Sequence, residues 1–107
     1  MATVTLRLSG HLTREALEAE LVDVVPALEE SACEVLVDCH TMTGYDSEAR
    51  AAFVEFLRAH RSNMRRIAVV TDKTLWHMVV STMALASGVA MRAFSDAESA
   101  QHWLRSA

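Results

Sequence analysis

Glycine is scarce in this chain, and that scarcity removes whole classes of chemistry. The three glycines among 107 residues are Gly10, Gly44 and Gly88. Each stands alone at the edge of a predicted element, so neither a dinucleotide-binding loop nor a phosphate-cradling loop can be built from them. Cysteine is nearly as sparse. Cys33 and Cys39 bracket one predicted strand, and residues rising by about 3.3 Å each separate them by roughly 20 Å. A disulfide tolerates only about 7 Å between Cα atoms. The two are therefore expected to be reduced thiols packed as small core or strand-end residues, as suits a reducing compartment. Cations are also short: 10 Lys and Arg against 14 Asp and Glu leave a net charge of −4. That balance disfavours nucleic acid and anionic membranes as partners, since both need a basic surface to displace counterions.

Further absences narrow the field. Residues 2–8 alternate and carry Arg7, unlike the continuous apolar run of a signal peptide or a membrane span. No integral membrane segment and a cytoplasmic location are thus expected. The histidines His11, His40, His60, His77 and His102 show no metal-ligand spacing, so no metal and no cofactor is expected. Cys39 and His40 are adjacent, but neighbouring residues on an extended backbone point to opposite sides and do not form a thiol–imidazole pair.

What the sequence does hold is a regular alternation of strand and helix signals over a single predicted domain, residues 1–107. In residues 3–8, Val4, Leu6 and Leu8 alternate with Thr3, Thr5 and Arg7, the period of a half-buried strand near a sheet edge. Ser9 and Gly10 are expected to end it. Thr13 is a candidate N-cap for a helix carrying Leu17, Leu21, Val24, Val25 and Leu28 on one face, with a kink or an early end near Val25 imposed by Pro26. Residues 33–39 form a second strand whose continuous Val35-Leu36-Val37 run marks it as central. Residues 40–45 read as a loop. Asp46 or Ser47 then caps a helix with Ala49, Ala52, Phe53, Phe56, Leu57 and His60 in one stripe.

The cluster Arg58, Arg61, Arg65 and Arg66 reads as cations complementing a helix C-terminus rather than a nucleic-acid patch. Residues 67–71 make a third, central strand, with a turn at Asp72 and Lys73. From Thr74 to Ser87 no Asp, Glu, Lys or Arg occurs. The apolar positions there, Leu75, Trp76, Met78, Val79, Val80, Met83, Leu85 and Ala86 among them, spread over roughly 220° of helix surface, against the about 100° stripe a core-facing helix needs. Trp76, Val80 and Met83 are expected on the side of that arc left uncovered by a neighbouring helix. Gly88 terminates the helix as a C′ glycine. Residues 89–94 are the last strand, and Ser95-Asp96-Ala97-Glu98 is read as a capping box before a helix with Ala100, Trp103 and Leu104 inward. The order βαβαβαβα implies an α/β fold: a four-stranded, mainly parallel sheet, with a mixed sheet left open, and four helices on its faces.

Leu8-Ser9-Gly10-His11-Leu12-Thr13, Val35-Leu36-Val37-Asp38 with a short path to Gly44, Arg66-Ile67-Ala68-Val69-Val70 with Asp72 and Trp76, Arg92-Ala93-Phe94, and Ala100-Gln101-His102-Trp103-Leu104 occur in order. This ordered set resembles the SpoIIAA-like branch of the STAS superfamily, the sulphate transporter and anti-sigma-factor antagonist domains. The resemblance implies a non-enzymatic domain that binds a partner protein or a small apolar ligand. In the antagonists, a serine at a helix start within Asp-Ser-Ser/Thr-Gly is phosphorylated by a partner kinase. The matching stretch here is Asp46-Ser47-Glu48-Ala49, which makes Ser47 the phosphorylation candidate, although Asp46 and Glu48 would repel a phosphate.

The expected function is a non-catalytic regulatory or binding module acting through protein contacts, with a partner protein or a second copy as its target. Its candidate surface comprises Asp38, His40, Tyr45, Asp46, Asp72, Trp76, Val80 and Met83. The first alternative is a small apolar-ligand binder, a role suggested by the fold relationship of this branch to CRAL-TRIO lipid-transfer domains. That alternative requires a cavity between the helices following strands two and three. The second is a small enzyme pairing His40 with Asp38 or Asp72 at the carboxyl ends of the strands, where His11, Thr71 and Ser95 are also expected.

Overall fold

The computed structural model describes residues 1–106. Nine elements follow one another: β1 (Ala2–Leu12), α1 (Arg14–Glu30), β2 (Cys33–Tyr45), α2 (Ser47–Ala59), a short 3-10 turn (Arg61–Asn63), β3 (Met64–Val70), α3 (Thr74–Ser87), β4 (Met91–Phe94) and α4 (Ala97–Arg105). The four strands pair in the order β1-β2-β3-β4 and every pair is parallel. The α/β class, the four helices and the central places of β2 and β3 are those expected from the alternation, and the sheet is parallel throughout.

The helices divide unequally between the two faces. Leu17, Leu21, Val24 and Leu28 of α1, Ala49, Phe53, Phe56 and Leu57 of α2, and Val80 and Met83 of α3 share one core with Leu6, Val35, Val37, Ile67 and Val69 of the sheet. On the opposite face Ala100 and Leu104 of α4 cover Leu36, Ala68 and Val70. Thr3, Thr5 and Arg7 share that second face and are exposed. This accounts for the polar half of the β1 alternation: α4 covers the middle of the sheet and leaves the β1 edge to water.

Several local expectations need correction. Neither Ser9 nor Gly10 ends β1, and residues 40–45 are not a loop. The two strands run on as a ribbon, with Ser9 beside Thr41, Gly10 beside Met42, His11 beside Gly44 and Leu12 beside Tyr45. Two extra residues in β2 produce the register shifts after Arg7 and Gly10, and such bulges bend a strand and change which side chains face inward. The first shift hands the inward role from Val37 and Cys39 to Met42, which is buried. Gly10 adopts φ +63° at this bend, a conformation that other residues reach only with strain.

Helix α1 passes through Pro26 and continues to Glu30. Proline deprives the Val22 carbonyl of its helical donor, and Val22 is exposed, so water can take the missing bond. The cap of α4 is Asp96 rather than Ser95: Asp96 Oδ1 accepts from Ser99 N at 2.7 Å, and Ser99 Oγ donates to Asp96 Oδ2 at 3.1 Å. The Ser99 amide holds the Asp96 carboxyl below its ordinary range. Thr13 and Gly88 act as expected. Thr13 Oγ1 accepts from Ala16 N at 3.1 Å, and Gly88 closes α3 at φ 74°.

The arginine cluster complements helix C-termini, but those of α3 and α4 rather than that of α2. Arg58 Nε and Nη2 donate to Ala86 O at 3.1 and 2.9 Å. The register of β2 against β3 shifts between Cys33 beside Met64 and Val35 beside Ile67, so β3 holds one extra residue there and both of its arginines reach α4. Arg65 donates to Leu104 O at 2.7 Å, and Arg66 to Trp103 O at 2.6 Å. These carbonyls belong to last turns, where few helical donors remain and a cation also meets the negative end of the helix dipole. Arg65 further pairs with buried Glu34, with Nη2 at 2.6 Å from Oε2.

Candidate functional site

Two surfaces meet on α3. Its inner side lines a partly open cavity of about 70 Å³, bounded by the β1–β2 ribbon, β3, α2 and α3. Leu8, Leu12, Val37, Met42, Phe53, Val69, Val80 and Met83 form the walls. Tyr45, Arg50, Trp76 and Val79 also line it and retain solvent exposure, so they form its rim. Tyr45 and Trp76 meet edge to face with centroids 5.6 Å apart, and the Lys73 ammonium lies 5.1 Å from the Trp76 ring. Such ring and cation contacts fix Trp76 as a flap over apolar space. The cavity exists because the ribbon continues past the end of β3, carrying Met42 and Tyr45 beyond the region the shorter strands fill.

The outer side of α3 carries large apolar side chains in water. Leu75 is 76%, Met78 69% and Leu85 88% exposed. Val80 and Met83 are buried and face the core, which corrects the expectation that they lie on the uncovered side; Trp76 is half-buried. Two polar ties set this azimuth. The His77 Nε2 lies 3.0 Å from Thr71 O at the N-terminal end, and Arg58 holds Ala86 O at the other. A helix apolar nearly all round gives no sequence signal of which side turns inward, so Leu75, Met78 and Leu85 could be named only as members of the arc.

The remaining candidates lie outside this helix. Asp38 and His40 lie within β2, not at its end, because the ribbon outlasts the predicted strand, whereas His11 is next to last in β1. Thr71 and Asp72 do follow β3, and Ser95 follows β4. His40 N donates to Asp38 Oδ1 at 3.0 Å, a backbone turn contact. Among the described residues no hydrogen bond joins the His40 imidazole to Asp38 or Asp72. Cys39 is buried, and burial, aided by the Asp38 charge, pushes its thiol up to about 12. It stays protonated near neutrality and is a poor nucleophile. Both cysteines are free. Among the described residues no cluster of three or more His, Cys, Asp or Glu could hold a metal ion, and no helix is long and apolar enough to cross a membrane.

Asp46 caps α2, its Oδ1 accepting from Ala49 N at 2.8 Å. Ser47 is the first residue of that helix and is exposed.

A family model described as SpoIIAA-like matches residues 3–105. The chain belongs to the SpoIIAA-like family. A solved structure of an uncharacterised Shewanella loihica protein of the DUF3478 family, described as having a SpoIIAA-like fold, superposes with a TM-score of 0.78 at 19% identity, covering 94% of this chain and 82% of that one. At that identity the likeness bears on the fold. No curated protein matches. The SpoIIAA-like assignment rests on nearly the whole length of the chain, so it takes in both the ribbon and α3.

Proposed function

We propose that this SpoIIAA-like chain is a non-catalytic module that works by binding a protein, with the outer face of α3 as its contact surface. The observation that carries the reading is the exposure of Leu75, Met78 and Leu85 on a helix free of Asp, Glu, Lys and Arg. Apolar side chains scattered singly over a surface are ordinary, whereas a contiguous patch marks a contact site. A helix presenting anchors three and seven residues apart is a common way to fill an apolar groove. The family assignment supports a regulatory rather than an enzymatic role, and the burial that keeps the Cys39 thiol protonated supports it from chemistry.

Photocrosslinking tests the reading. A photoreactive residue replacing Met78 or Leu85 in cells of the source organism should yield protein adducts, and one replacing Val22, exposed on α1, should not. Adducts at none of the α3 positions would sink the proposal.

The cavity favours a second reading, binding of a small apolar ligand between α2, α3 and the ribbon. Apolar cavities of about 150 Å³ take up benzene. At about 70 Å³ this one suits a short aliphatic group, and a longer chain would project past Trp76. Native mass spectrometry reporting an empty protein, together with unaltered Trp76 fluorescence on adding short-chain alcohols, would remove this reading and leave the first standing.

A further inference from the structure

We infer that the outer face of α3 pairs with the same face of a second copy of this chain, the two helices antiparallel about a two-fold axis. The inference rests on the protein-binding reading above and names the partner.

The first argument is spacing. Leu75, Met78, Thr82 and Leu85 are exposed, and at about 100° per residue they fall within roughly 80° of arc. In a two-fold interface the same patch must complement itself. When α3 is paired antiparallel about residue 80, Leu75 faces Leu85 of the second copy, Met78 faces Thr82, and the reverse contacts repeat beyond the axis. The stripe thus meets its own image with the large leucines at both ends, a span of about 15 Å.

Charge is the second argument. Within Thr74–Ser87 there is no Asp, Glu, Lys or Arg, so bringing two copies together buries no like charges along the stripe. At the two ends the exposed charges are Asp72 and Arg61, of opposite sign; Lys73, next to Asp72, is half-buried and engaged over the Trp76 ring. Asp72, just before the helix, is exposed. Arg61, also exposed, lies over Gly88 at the far end, its Nη1 3.0 Å from where a Cβ on that glycine would stand. Position 72 maps onto position 88 about the same centre that pairs Leu75 with Leu85, so each Asp72 arrives at the Arg61 of the second copy. A parallel pairing would set Asp72 against Asp72 and Arg61 against Arg61. Complementary charges at the rim of an apolar contact chiefly fix register and orientation.

Sedimentation of the purified protein from about 1 µM to about 300 µM, a range suited to a small interface, tests the pairing. The wild type should pass from monomer to dimer, and Leu85→Glu should remain monomeric with an unchanged melting temperature. Asp72→Arg and Arg61→Asp should each weaken association about fivefold or more, and the double exchange should recover it to within about twofold of the wild type, because both symmetric pairs are then restored with reversed sign. Wild-type protein that stays monomeric throughout overturns the inference, and a double exchange no tighter than the single ones overturns the antiparallel register. Crosslinking at position 78 separates this failure from that of the underlying reading. Adducts at twice the chain mass support the pair. Adducts only to another protein overturn the second copy as partner and leave the protein-binding reading intact, and no adducts at all overturn both.

Discussion

Replacing Arg65 by methionine removes a guanidinium that serves two elements at once. Its Nε and Nη2 approach Glu34 Oε2 at 2.9 and 2.6 Å, and Nη2 also reaches Leu104 O at 2.7 Å and Ser106 O at 3.1 Å. Glu34 is only 5% exposed, so the variant leaves a buried carboxylate without its cation. Breaking a buried pair from one side costs about 3–5 kcal/mol. Because the Arg65 side chain is 35% exposed, water can reach the vacated position and the lower end applies, about 3 kcal/mol. Losing the ties to the α4 carbonyls adds about 1 kcal/mol. A total near 4 kcal/mol is a large share of the roughly 5–15 kcal/mol that holds a domain of this size together. It should lower the melting temperature by roughly 15–30 °C. Glu34→Met combined with Arg65→Met should recover most of the loss, since exchanging both partners for apolar groups is close to neutral. Urea unfolding at pH 7 followed by circular dichroism measures all three proteins. A single variant that loses less than about 1 kcal/mol, or a double variant no more stable than the single one, would refute the reasoning.

Three further outcomes are expected. Cys39 should resist thiol reagents in the folded protein and react after unfolding. Its thiol is raised from 9.0 to about 12 by burial, so the unfolded chain loses this proton first as pH rises; the stabilising contribution is complete below pH 9 and declines towards pH 12, by about 1.4 kcal/mol per unit at most. Cys39→Ala should flatten that alkaline decline, and an unchanged profile would count against the assignment. Pro26→Ala restores the donor missing from α1 and should stabilise the protein by about 1–3 kcal/mol, with no gain in denaturant midpoint refuting it. Gly88→Ala should cost about 1 kcal/mol from the left-handed backbone, and the displaced Arg61 side chain should be visible as a chemical-shift change near the α3 C-terminus.

The parts of this fold that were legible in the sequence are those fixed by a single segment. Strand identity in β2 and β3 follows from continuous apolar runs, and the cap at Thr13, the stop at Gly88 and the limits of α3 follow from local chemistry. The features that were not legible are relations between segments. Taken singly, Gly10 looks like a strand end and Gly44 like part of a loop, yet each sits inside a ribbon whose bulges belong to the pairing of β1 with β2. Arg65 and Arg66 read as part of a general basic cluster, because only the shifted register of β3 brings both to the end of α4. Glu34 carries no local signal, being an acidic residue near a strand start whose partner lies far along the chain.

The same distinction applies to α3, whose excess of apolar residues is legible in the sequence while its orientation is not. An amphipathic helix announces its buried side by contrast, and α3 has almost none, so its rotation is settled by contacts at its ends. His77 at Thr71 O and Arg58 at Ala86 O hold those ends to the residue following β3 and to α2, and Val80 and Met83 complete the hold by packing into the core. None of these ties uses Leu75, Met78 or Leu85. The outer face is therefore mechanically independent of the inner one, and changes such as Leu85→Glu should alter association while leaving the fold unaltered. A residue that anchored both would have confounded binding with stability; in this helix the positions that hold the fold and those offered to a partner are different side chains on opposite sides of one element.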